Sequence, residues 1–76
     1  MQKIYMISDL ASATGLSRHT LNFYLKIGLI KESGRTESEY RFFDQTVVDR
    51  LNCIIRLRQD GHALNAIKAL LEGGRQ

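Results

Sequence analysis

The chain has 76 residues, 43% of them hydrophobic, with 11 Lys and Arg against 8 Asp and Glu for a net charge of +3. That length permits one domain with a modest core, and the apolar fraction excludes a disordered tail. The lone Cys53 excludes an internal disulfide framework, and there is no apolar run of membrane-spanning length and no charged leader ahead of an apolar core, so a cytoplasmic protein is expected.

Met1 to Met6 reads as a short extended lead-in with Ile4 and Met6 pointing to one side. A first helix is predicted from Ser8, with Asp9 in its first turn, where the helix dipole favours negative charge, and with Leu10 and Ala13 facing inward. Thr14-Gly15-Leu16 supplies a glycine turn, and Ser17 is a residue type that caps a helix by accepting a backbone N–H bond. The second helix is predicted from Arg18 to about Ile27, with Leu21, Tyr24 and Leu25 as its buried stripe. Its other faces carry Arg18, His19, Asn22, Phe23 and Lys26, which donate hydrogen bonds, supply positive charge or stack. A short helix anchored on one side and armed in this way on the other suits the DNA major groove, and the pair over about residues 8–27 reads as a helix-turn-helix.

Gly28 ends the second helix. Leu29-Ile30-Lys31 reads as a strand, Glu32 to Glu39 as a polar loop, and Tyr40-Arg41-Phe42-Phe43 as the returning strand, which makes a wing over about residues 29–43. Asp44 is placed to cap a third helix from Gln45 to about Asp60, whose Val47, Val48, Leu51, Ile54, Ile55 and Leu57 follow helical spacing. Gly61 stops it. Leu64, Ile67, Leu70 and Leu71 mark a last helix that Gly73-Gly74 ends, completing a second helix pair over about residues 45–72. The expected fold is mainly α: a winged helix-turn-helix of four helices with a two-stranded β-hairpin wing, forming one domain over residues 1–76.

Ile7-Ser8-Asp9-Leu10-Ala11, Thr14-Gly15-Leu16-Ser17, Thr20-Leu21, Phe23-Tyr24, Gly28-Leu29-Ile30, Tyr40-Arg41, Arg50-Leu51, Leu57-Arg58, Gly61 and Ile67 fall in an order and spacing that closely resembles the N-terminal DNA-binding domain of MerR-type transcriptional regulators. The resemblance spans about residues 4–71. It implies a bacterial regulator in which the last helix pair acts as a second wing. It also implies a symmetric dimer on promoter DNA, distorting it to control RNA polymerase. The chain departs from the family pattern at Asn22-Phe23-Tyr24-Leu25, where Arg-Tyr-Tyr-Glu is usual, and at His62-Ala63, where Phe-Ser is usual. A proline common after the Leu-Ile pair is absent. Family members continue into a long coiled-coil helix and an effector domain, and neither is expected within these 76 residues.

The candidate DNA-binding residues are Ser17, Arg18, His19, Asn22, Phe23, Lys26, Arg35, Tyr40, Arg41 and Arg58. Asn22 is able to read adenine, although exposed Asn is common, and Phe23 has a core reading beside its contact reading. Tyr40 and Arg41 supply the donor hydroxyl and guanidinium that a phosphate clamp needs. Arg35 and Lys31 read almost as well as solvated wing charge, and Arg58 either reaches DNA from the second wing or pairs with Asp60 or another acid. Cys53 reads as a small buried hydrophobe. His19 and His62 lack a neighbouring ligand set, so no metal and no cofactor are expected. Ser17, His19 and Asp9 suggest no nucleophile–base arrangement, and an enzyme is not expected.

The leading expectation is therefore sequence-specific binding of double-stranded promoter or operator DNA, which would place the protein on the nucleoid. Two alternatives stand beside it: an excisionase-like DNA-bending protein, and a protein-interaction winged helix that has lost DNA binding. The chain as given is expected to be mainly monomeric and to bind no small effector. Only five residues follow Leu71, too few for a coiled coil. All four apolar residues of the last helix are expected to pack on the third.

Overall fold

Six short elements follow one another in the computed structural model, which describes residues 3–73. They are α1 (Ile7–Thr14), α2 (Arg18–Lys26), β1 (Gly34–Arg35), β2 (Arg41–Phe42), α3 (Gln45–Gln59) and α4 (Leu64–Gly73). The order is helix, helix, hairpin, helix, helix, as the sequence predicts.

α1 begins one residue earlier than expected. The Asp9 carboxylate accepts from the Met6 backbone N–H at 2.8 Å, so Met6 is the cap residue and Ile7 the first helical one. Leu10 is fully buried, but Ala13 is exposed; Ile7, Ala11 and Thr14 share the inner face with Leu10 instead, because they lie together on one side of it around the helix and Ala13 lies on the other. The turn that follows is tightly held. Thr14 Oγ1 donates to the Leu10 carbonyl at 2.7 Å and accepts from the Leu16 N–H at 3.2 Å. Gly15 sits at φ +79°, with its N–H on the Ala11 carbonyl at 2.9 Å. α2 then starts at Arg18, its first turn closed by Ser17 Oγ accepting from the Thr20 N–H at 3.0 Å.

The corner after α2 corrects the expected strand at Leu29–Lys31. Gly28 takes φ +78°, which reverses the chain. The N–H groups of Leu29 and Ile30 then turn back onto the Tyr24 carbonyl at 2.9 and 3.4 Å, so neither is free to join a ladder. Both side chains are buried, and their apolar run reports burial and not a strand. The ladder starts later, with Gly34 opposite Phe42 and Arg35 opposite Arg41 in antiparallel register. A Cβ on Gly34 would fall 2.6 Å from the Phe42 ring, so the ring covers the glycine. The lead-in adds one further rung, with the N–H groups of Tyr5 and Phe43 each donating to the other's carbonyl at 2.8 Å. Tyr5, not Ile4 and Met6, therefore points inward, and Ile4 is exposed.

Asp44 caps α3 as expected, accepting from the Thr46 N–H at 3.0 Å. Hydrogen bonding from the Thr46 hydroxyl holds its carboxyl below the usual carboxylate range. α3 packs against α1 and carries α4. The core unites Tyr5, Leu10, Leu21, Tyr24, Leu29, Ile30 and Phe43 with Val47, Val48, Leu51 and Ile54 of α3 and Ile67 of α4. Two expectations fail here. Cys53 is exposed, because it lies about 200° around the helix from the buried Leu51. Leu70 is 52% exposed, while Leu64, Ile67 and Leu71 form the stripe that meets the core. Gly73 is the last helical residue described, and Gly74 lies outside the described residues. No helix among the described residues is long and apolar enough to cross a membrane.

Candidate nucleic-acid interface

The inner side of α2 is set by Leu21 and Tyr24, both buried, and Leu25, half-buried against the core. With those three turned inward, helical geometry leaves Arg18, His19, Asn22, Phe23 and Lys26 within one arc of about 140° on the outside. All five are exposed. Phe23 is 44% exposed and its ring meets that of the buried Tyr24 at a centroid distance of 6.4 Å, which settles the core role on Tyr24 and leaves Phe23 facing outward. Among the described residues, no ion pair engages Arg18, His19 or Lys26. The Ser17 hydroxyl is occupied in the cap, since it also donates to Thr20 Oγ1 at 3.0 Å.

The wing presents a second set. Arg35 and Arg41 are a directly opposed cross-strand pair, so their side chains leave the same face of the hairpin. Both are exposed, and so is Lys31 at the base of the wing. Tyr40 is 66% exposed, and strand alternation buries neither it nor Arg41. The turn at the tip is closed by the Glu39 N–H on the Thr36 carbonyl at 2.9 Å, with Glu39 at φ +68°.

Glu32, one more charge of the polar loop in the sequence, joins the two arginines in the fold. Its carboxylate lies between the two arginines: Arg35 Nε donates to Oε2 at 2.8 Å and Arg35 Nη2 to Oε1 at 3.4 Å, while Arg41 Nε donates to Oε1 at 2.8 Å. The Arg35 hydrogen bond is the largest influence on the Glu32 carboxyl; burial opposes it, the Arg41 hydrogen bond adds to it, and the carboxyl is lowered below its usual range while in turn raising Arg35. The Glu32-to-Arg35 spacing is legible in the sequence, but the contact with Arg41 exists only once the hairpin closes. Arg50 was also missed as a contact. Its Nε donates to the Leu29 carbonyl at 2.7 Å and so ties α3 to the corner after α2. No local pattern announces a bond across 21 positions.

Arg58 stands apart from both sets, at the corner between α3 and α4. It pairs with no acid there; its Nη1 donates to the His62 carbonyl at 3.1 Å. Among the described residues no group of three or more His, Cys, Asp or Glu is placed to hold a metal ion. The structure thus gathers Arg18, His19, Asn22, Phe23 and Lys26 on one helix face, gathers Arg35 and Arg41 on one wing face, and leaves Arg58 on a separate corner.

The sequence is 42% identical over 67 residues to a mercuric resistance operon regulatory protein of Bacillus cereus, covering 88% of this chain and 51% of that protein. It is 35% identical over 68 residues to the HTH-type transcriptional regulator CueR of Bacillus subtilis, covering 90% of this chain and 47% of that one. The chain therefore spans about half the length of these relatives. Its fold is similar to that of a MerR-family transcriptional regulator from Bacillus cereus, with TM-score 0.87 and 28% identity over 91% of this chain and 52% of the other. It is also similar to HiNmlR, a MerR family regulator lacking the sensor domain and bound to promoter DNA, with TM-score 0.85 and 32% identity over 95% of this chain and 55% of that one. The sequence pattern described as MerR HTH family regulatory protein matches residues 5–74, and the chain belongs to that family.

Proposed function

We propose that this domain binds double-stranded promoter or operator DNA as the reading module of a transcription regulator. The observation that carries the proposal is the division of α2 into a buried stripe and a single outer face of Arg18, His19, Asn22, Phe23 and Lys26, next in the chain to a wing that directs Arg35 and Arg41 to one side. A MerR-family relative of similar fold is bound to promoter DNA, which supports the same use here.

In this reading α2 enters the major groove. His19 and Asn22 face base edges, Arg18 and Lys26 hold phosphates at either end, and Phe23 packs on sugar or a thymine methyl. Ser17 acts mainly by capping the helix that carries them. Arg35, Tyr40 and Arg41 hold the flanking backbone from the wing, and Arg58 reaches it from the second helix pair. RNA polymerase is the further partner that regulation of a promoter requires. The 76-residue chain is a monomer that pairs on adjacent half-sites, without cofactor, metal or catalytic step.

Fluorescence anisotropy with pooled duplex fragments, repeated at stepped salt, tests this. Binding is expected to weaken with salt, the logarithm of the affinity falling by about 0.9 per phosphate contact for each tenfold rise in salt. Absence of binding to any duplex even at low salt overturns the proposal and leaves the protein-interaction winged helix standing.

A further inference from the structure

Glu32 places a carboxylate where a DNA phosphate would have to go. Its two oxygens meet the Nε–Nη2 edge of Arg35 side-on and the Nε of Arg41, at 2.8 Å for each Nε. A phosphate offers the same pair of non-bridging oxygens to the same donors. Two guanidiniums and one carboxylate leave the face with one net positive charge instead of two. The carboxyl is held below its usual range by Arg35 first and Arg41 with it, so the occupant is fully charged at neutral pH. All three side chains remain partly open to solvent, at 44% and 48% for the arginines and 32% for Glu32, so the carboxylate is displaceable by an incoming anion. The other acids of the wing, Glu37 and Glu39, form no ion pair or side-chain hydrogen bond with either arginine, and Glu39 acts on Arg35 only through its charge, less strongly than Glu32.

We infer that Glu32 is an intramolecular competitor for the DNA backbone: it occupies the two wing arginines in the free protein, and a phosphate engages them only by displacing it. The inference rests on the DNA-binding reading and adds a residue that sets its strength. Glu32 touches no base, so it weakens binding to every sequence alike and limits retention on non-operator DNA. Because surface ion pairs are weak, the effect is a moderate tuning and not a block.

The test compares Glu32→Gln with Glu37→Gln, which removes one charge from the same wing without releasing an arginine. Anisotropy titrations on an arbitrary duplex and on the best-binding duplex are run across a salt series, with circular dichroism melts as the folding check. Glu32→Gln is expected to tighten both complexes by about two- to tenfold. The steepness of the salt dependence should rise with it, and the ratio between the two duplexes should stay unchanged. Glu37→Gln should move affinity less. In an Arg35→Ala/Arg41→Ala background the extra gain from Glu32→Gln should vanish. Equal effects of the two Gln variants, or a gain that survives loss of both arginines, overturn the inference while the DNA reading stands. Weaker binding by a folded Glu32→Gln protein also overturns it, making Glu32 a support that aims the arginines. A wild-type chain that binds no duplex overturns the DNA reading and this inference with it.

Discussion

Arg41 and Asn22 are both exposed polar residues, and the proposed function gives them different work. The Arg41 guanidinium leaves the wing beside Arg35 and is already bound to a carboxylate through Nε, as a group that holds any anion would be. Asn22 stands in the middle of the outer face of α2, flanked by one charged end at Arg18 and another at Lys26. Arg41→Ala is therefore expected to weaken binding to all duplexes alike and to lower the salt slope by about one phosphate contact. Asn22→Ala is expected to change which sequences are preferred, at about 1–3 kcal/mol for the affected base pair. Competition binding against a randomised duplex pool separates the two, and a change of preference on Arg41→Ala without loss of general affinity would reverse the roles. Phe23 and Tyr24 make the same point without charge. Two adjacent aromatics look alike in the sequence, and one step of about 100° around the helix puts Tyr24 in the core and Phe23 in solvent.

α1, α2 and α3 are bounded by chemistry within a few residues of their ends. Ser17 and Asp44 satisfy first-turn N–H groups of α2 and α3, and Gly28 ends α2 by reversing the chain. Gly28 gives the cleanest test, because space is not the constraint. A Cβ there meets only the Lys68 side chain, at 3.6 Å and beyond, which is ordinary contact, while φ +78° is strained for any L side chain. Gly28→Ala is expected to cost about 1–2 kcal/mol of stability, read as a lower urea midpoint with an unchanged slope. Because Leu29 and Ile30 hang their N–H groups on the Tyr24 carbonyl just beyond this glycine, the variant should also loosen the corner that sets the wing against α2. An unchanged midpoint would show that the corner tolerates the side chain.

At the scale of the whole molecule the question is what surface remains for a second copy. Leu64, Ile67 and Leu71 turn into the core, and Leu70 is the one large apolar side chain that α4 leaves exposed among the described residues. A single leucine is far from the roughly 800 Å² per partner that a stable interface buries. Sedimentation equilibrium on the 76-residue chain without DNA is expected to return a monomer at micromolar concentration, and a stable dimer would point to α4 as its seam. The same smallness makes the core sensitive. Leu51 is fully buried at the centre of α3, where it joins α1, α4 and the hairpin residues in one cluster, so no part of the domain has a core of its own.

The order of elements, both caps, the glycine that ends α2 and the face of α2 opposite its buried stripe were determined by the sequence alone. Each depends on residues within one or two helical turns of one another, where chain geometry leaves few alternatives. The tertiary structure decided what depends on distant partners. Leu29-Ile30-Lys31 has the composition of a strand, but the N–H groups of Leu29 and Ile30 are taken by the end of α2 and their side chains by the core, and the ladder starts at Gly34. Cys53 and Leu70 look apolar enough to be buried and are not, because α3 and α4 each have one inner stripe, Cys53 lying on the far side of α3 from it and Leu70 at its edge on α4. Glu32 reads as one more charge in a polar loop until Arg35 and Arg41 close around it from the two strands. Periodicity along the chain tells which residues share a face. Only the packed fold tells which face meets another element and which charges meet each other, because those contacts join positions that the local geometry of the chain leaves independent.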